Sequence, residues 1–118
     1  MIYLDNAATT ALSPAAIQAM TKTMTVFGNP SSTHSHGREA SKLLRQARED
    51  IAQALHTQSN KILFTSGGTE SNNTAIKGYA LRYQKQGKHI VTTAIEHHAV
   101  LEVVEYLVDK FGFEATFV

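Results

Sequence analysis

The sequence predicts a parallel-type α/β fold, entered through a helical N-terminal segment and left incomplete at its last strand. Three observations predict it. The second half alternates strand-like and helix-like stretches as β-α-β-α-β, a pattern that implies parallel strands joined by right-handed crossovers. Residues 38–55 place apolar side chains at 40, 43, 44, 47, 51, 54 and 55, the spacing of an amphipathic helix. Hydrophobic residues make up 42% of the 118-residue chain, close to the globular average, so a packed core is within reach.

Taken in order, Ile2–Leu4 is a short β-compatible segment that opens into the small, polar run Asp5-Asn6-Ala7-Ala8-Thr9-Thr10. Ser13-Pro14 reads as an N-cap followed by proline in the first helical turn. That helix should reach about Val26 or Phe27, where Gly28-Asn29-Pro30 stops it. Ser31–Gly37 reads as a polar loop. The amphipathic helix follows from about Arg38 to Leu55, with Lys42, Arg45, Arg48 and Glu49 on its other face. Beyond the turn Thr57-Gln58-Ser59-Asn60, the stretch Lys61–Thr65 reads as a strand. Ser66-Gly67-Gly68-Thr69 leads into a helix from about Glu70 to Gln84, ended by Gly87. His89–Thr93 is a second strand. A helix from about His98 to Phe111 sets Leu101, Val104, Leu107, Val108 and Phe111 on one face, with Gly112 suited to its C′ position. Phe113–Val118 opens a last strand that no helix follows. Parallel sheets need cover on both faces, so these strands are the start of a sheet, and the last one should leave an apolar edge unpaired.

Composition narrows the function. Eleven basic residues against 10 acidic ones leave a formal charge of +1, which gives no electrostatic reason to propose nucleic acid or a membrane surface as partner. With no cysteine, a disulfide framework, a Cys-based metal site and a nucleophilic cysteine on these residues are excluded. The opening residues show no basic stretch followed by an apolar one, and no apolar run approaches membrane-spanning length. A cytoplasmic protein is the expectation.

The sharpest chemical feature is Phe64-Thr65-Ser66-Gly67-Gly68-Thr69-Glu70-Ser71-Asn72. A strand runs through two glycines and a hydroxyl residue into a helix N-terminus. The glycines allow close backbone approach to a ligand, and the free N–H groups of the first turn favour an anion. The run matches neither the Walker A loop nor the dinucleotide fingerprint; the alternative is a tight turn that binds nothing. His97 and His98 fall between a strand and a helix. In a parallel sheet this puts them on the same edge as Gly67–Thr69, where a neutral imidazole can stack on a flat cofactor or move protons. The alternative is a helix-capping pair. A metal site is disfavoured: His34-x-His36 and His97-His98 have no carboxylate at ligand spacing, and adjacent histidines usually point apart. Asn72-Asn73-Thr74 matches a glycosylation sequon by chance.

Four signatures stand in one order: Tyr3–Thr10, Gly28-Asn29-Pro30-Ser31-Ser32-Thr33-His34, Phe64–Asn72 and Glu96-His97-His98-Ala99-Val100. Together they resemble the NifS/IscS-type cysteine desulfurases, in the class V aminotransferase group of fold-type I pyridoxal-phosphate enzymes. The resemblance implies that residues 1–37 are an N-terminal arm, helix and active-site loop. It implies that 38–118 are the first part of the pyridoxal-phosphate-binding large domain, truncated. Gly68 and Thr69 then match the residues that hold the cofactor phosphate. His97 matches the histidine that stacks on the pyridine ring and handles protons. Asn6 and Ala7, and His34 in its loop, match segments near the substrate. No role carries over to His98.

The implied reaction removes sulfur from L-cysteine, giving alanine and an enzyme persulfide that feeds iron–sulfur cluster assembly or nucleotide thiolation. The family is homodimeric and hands sulfur to acceptor or scaffold proteins. Its Schiff-base lysine, the aspartate facing the pyridine nitrogen and its nucleophilic cysteine lie beyond the matched region. None of the seven lysines here stands in the lysine motif, and Lys77 reads as a solvated surface charge. The 118 residues alone are therefore expected to be inactive. The alternatives are a non-catalytic phosphate-ligand-binding or dimerisation module, or part of a related pyridoxal-phosphate lyase.

Overall fold

The computed structural model describes residues 2–118, and the chain divides into two compact units, one ending at Ile62 and the other spanning Leu63–Val118. Met1, with which the expected 1–37 segment begins, lies outside the described residues. The 37/38 boundary expected from sequence falls within a helix of the first unit.

In the first unit, α1 (Pro14–Met24) starts as expected: the Ser13 side chain accepts the N–H of Ala16, and proline occupies the first turn. It stops at Met24, two residues short of Val26. Helix α2 (Ser35–Ala54) begins three residues before the expected Arg38. The cause is an unusual cap. The Nδ1 atom of His34 accepts the N–H of Gly37 at 3.4 Å, doing what Ser, Thr, Asp or Asn normally does. The preceding turn folds tightly onto this start. A Cβ on Gly37 would lie 2.3 Å from the Ser32 carbonyl oxygen, and one on Gly28 2.4 Å from that of His36. Both positions therefore require glycine.

The expected apolar stripe of α2 is present but only partly covered. Leu43, Leu44 and Ile51 remain 37–39% exposed, while Ala52, outside the stripe, is buried. Ala52 sits where the chain turns back, its carbonyl accepting the N–H of Thr57 ahead of a short 3₁₀ turn at Ser59–Lys61.

The second unit contains α3 (Gly68–Tyr83), β1 (His89–Thr92), α4 (His98–Phe111) and β2 (Glu114–Phe117). β1 and β2 pair in parallel, with His89 opposite Glu114 and Thr92 opposite Phe117. Helix α4 is the crossover between them and packs on α3. Its apolar face closes the core: Val103, Leu107 and Phe113 are buried, with Ile76, Ala80, Leu81, Ile90, Val108 and Phe111 packed around them. Gly112 ends α4 in the left-handed region at φ 65°, the conformation expected of a C-terminal glycine.

Two expected strands are absent among the described residues. Lys61 belongs to the 3₁₀ turn, and residues 62–65 take no place in the sheet; Ile2–Leu4 forms no strand either. The observed order is therefore α-β-α-β, two strands rather than three. β-propensity describes fit to a pleated neighbour, so an apolar β-branched run becomes a strand only where a partner strand lies alongside. β1 and β2 supply that to each other. No helix among the described residues is long and apolar enough to cross a membrane.

Candidate functional site

The N-terminal ends of α3 and α4 lie together in the second unit. Between them opens a cleft of about 350 Å³ lined by Gly68, Thr69, Asn72, His97 and Ala99. Three residues singled out from the sequence, Gly68, Thr69 and His97, meet here. Asn72, inside the same signature, was not singled out; the signal was its place one helical turn after Thr69.

Helix α3 begins two residues before the expected Glu70, because Gly67 takes the N-cap position and its carbonyl accepts the N–H of Ser71 at 3.1 Å. No side chain caps this end. The N–H groups of the first turn precede the helical ladder and are available to an acceptor at the positive end of the helix dipole. A Cβ on Gly67 or Gly68 would meet nothing within 4 Å, and Gly67 is extended at φ 166°. Neither glycine is required by packing or strain inside this chain. Their absent side chains leave an open concavity over the helix end, which fits a bulky anion such as a phosphate.

The turn is braced by side chains. The Glu70 carboxylate folds back so that one oxygen accepts both the Ser66 N–H, at 2.6 Å, and the Ser66 hydroxyl, at 2.7 Å. The Ser66 backbone bond first, then its hydroxyl, hold the Glu70 carboxyl below the usual glutamate range. A second clasp joins the hydroxyls of Thr65 and Ser71 at 2.6 Å.

His97 caps α4. Its Nδ1 accepts the Ala99 N–H at 3.0 Å, so the ring proton resides on Nε2 and that atom can donate. Both readings of this histidine meet in one geometry: it caps a helix and lines the cleft. The rings of His97 and His98 are inclined at 68° with centroids 6.3 Å apart, and His98 is not a lining residue.

A narrower groove of about 200 Å³ continues from Thr69 and Ala99 between the two helices, past Asn73, Lys77, Glu102, Val103 and Tyr106. Lys77 is not a freely solvated charge: its ammonium lies 4.4 Å from the centre of the Tyr106 ring.

The remaining candidates belong to the first unit. Asn6 and Ala7 occupy a turn in which the Asp5 carbonyl accepts the N–H groups of Ala8 and Thr9. His34 is the cap of α2. All three are exposed. None lines the cleft at Gly68 and His97.

Comparison with known proteins gives this geometry a context. Residues 2–118 match the family model described as aminotransferase class-V. A cysteine desulfurase IscS of Dictyoglomus turgidum is 52% identical over 117 residues, which cover 98% of this chain and 29% of that relative. A cysteine desulfurase IscS of Methanosarcina thermophila is 47% identical with the same coverage. Among solved structures, a NifS-like protein superposes with a TM-score of 0.86 at 39% identity, covering 96% of this chain and 31% of that one. A structure described as SspA in complex with cysteine gives 0.84 at 37% identity, covering 98% and 33%. The chain thus spans about three-tenths of the length of these relatives.

Proposed function

The chain belongs to the class-V aminotransferase family, and on that premise we propose that it is part of a pyridoxal-phosphate-dependent cysteine desulfurase and carries the phosphate side of the cofactor site. The observation that carries this reading is the meeting of Gly68, Thr69 and His97 around one cleft, in a chain whose relatives are named cysteine desulfurases.

The residues present fit the group. The open, glycine-lined end of α3 offers the N–H groups of Gly68 and Thr69 to a phosphate, and Thr69 adds a hydroxyl. His97 presents its ring and the Nε2 proton at the other wall of the cleft, where it handles a proton of the bound substrate. Asn6, Ala7 and His34 are assigned to the substrate side. Pyridoxal phosphate, when bound, supplies an electron sink for bonds at the α-carbon of an amino acid.

The substrate in this reading is L-cysteine and the products are alanine and a protein persulfide. The assembly is a homodimer passing sulfur to an acceptor protein, in a cytoplasmic setting. No thiolate is available from these 118 residues, so the sulfur-accepting cysteine is assigned to sequence outside them.

Sulfide release from L-cysteine, measured with pyridoxal phosphate and dithiothreitol, should not exceed that of free cofactor; faster turnover would overturn the assignment of the nucleophile elsewhere. Titration with pyridoxal phosphate should show saturable binding that Thr69→Ala weakens by about tenfold, the loss of one charge-assisted hydrogen bond. Binding indifferent to Thr69→Ala would remove the cofactor assignment.

A further inference from the structure

Resting on the cofactor reading above, we infer that Glu70 is a positioning residue: by clasping Ser66 it holds the Gly67–Thr69 turn in the shape that presents its N–H groups to a phosphate monoester. The argument begins with an apparent conflict. An anion site at a helix N-terminus gains from positive potential, and a carboxylate in the same first turn subtracts from it. Glu70 is therefore poorly placed if its charge acts on the ligand, and well placed if its oxygen acts on the backbone.

The geometry favours the second role. Glu70 is not among the residues that line the cleft, and a single oxygen, Oε2, receives both Ser66 donors at 2.6 and 2.7 Å. This closes a ring of contacts from residue 66 to residue 70 around the two glycines. Packing does not restrain those glycines: neither has a neighbour within 4 Å of its absent Cβ, and beside the clasp the Gly67 carbonyl accepts only the Thr65 hydroxyl, at 3.2 Å, and the Ser71 N–H. A Gly-Gly pair without such a brace samples many conformations, and ordering it on binding costs conformational entropy. The Thr65–Ser71 hydroxyl pair braces the same turn one residue further out on each side. Two side-chain clasps thus substitute for the rigidity that the glycines surrender to open the concavity.

Because both bonds land on one oxygen, the acceptor can be separated from the charge. Glu70→Gln keeps a carbonyl oxygen in that place, whereas Glu70→Ala removes it. The chain and both variants are titrated with pyridoxal phosphate, and amide hydrogen exchange is followed at residues 66–71 without ligand. The expected result is about tenfold weaker binding for Glu70→Ala and a loss within about threefold for Glu70→Gln. Exchange at the Ser66 amide should accelerate in the alanine variant alone. Ser66→Ala, which removes the hydroxyl donor and keeps the N–H, should fall between them.

Equal binding by wild type and Glu70→Ala overturns the inference, and so does tighter binding by both variants, which would mean the charge acts on the ligand. If the wild-type chain fails to bind pyridoxal phosphate, the cofactor reading is lost. The exchange pattern then decides the clasp alone: unchanged Ser66 exchange in Glu70→Ala removes it as well.

Discussion

Glu70, Ser66 and His97 show how much of the cleft is set by single side chains acting on backbone. The Ser66 bonds lower the Glu70 carboxyl below its ordinary value, so the clasp is strongest where the carboxylate is ionised. Its contribution is complete above the ordinary glutamate value of the unfolded chain and is lost as pH falls through the lower folded value. Protection of the Ser66 amide should accordingly be flat from neutral pH down to that range and fall only in more acid solution; loss of protection already near pH 6 would contradict the coupling. At His97, the motif pointed to a functional histidine, and the alternative pointed to a cap. Nδ1 serves the cap and the same ring lines the cleft, so the cap leaves Nε2 as the atom the proposed role would use. The sequence pattern showed that Gly68, Thr69 and His97 share an edge. It did not show the Glu70–Ser66 clasp, because nothing in a residue type says which of its many rotamers it adopts.

Among the elements, helices were more legible than strands. The extents of α4 and the cap of α1 follow from periodicity, Ser13-Pro14 and Gly112, all of them local signals. The early start of α2 was missed because its cap is a histidine. The strand expected at 61–65 does not form because pairing is a non-local property. Within the second unit, α4 carries the packing: Leu107 is 0% exposed and Val104 1%. Leu107→Ala removes buried methyl groups from that centre, and a loss of about 2–5 kcal/mol is expected. A fall in the urea midpoint of the second unit, followed by circular dichroism, would register it; an unmoved midpoint would mean this core does not hold the unit together.

The whole molecule exposes 9689 Å². Much of it is apolar: Leu12, Met24, Phe27, Leu63, Ile95 and Val118 are each more than half exposed. The two-stranded sheet also has free edges, including the outer edge of the final strand expected from the sequence. Concentration-dependent association is expected, and sedimentation velocity over a hundredfold range of concentration tests it. A single monomer boundary throughout would show that this surface is tolerated.

The sequence by itself determined the family, the α-β-α-β order from α3 to β2 and three of the residues that line the cleft, Gly68, Thr69 and His97. Each of these depends on local periodicity or on motifs whose neighbours are near in the chain. Only the tertiary structure decided which apolar stretches became strands, which stripe residues were buried and how the glycine turn is braced. Those outcomes depend on what lies alongside in space. An apolar face is written in the sequence of its own helix, but whether it is covered is written in its partner.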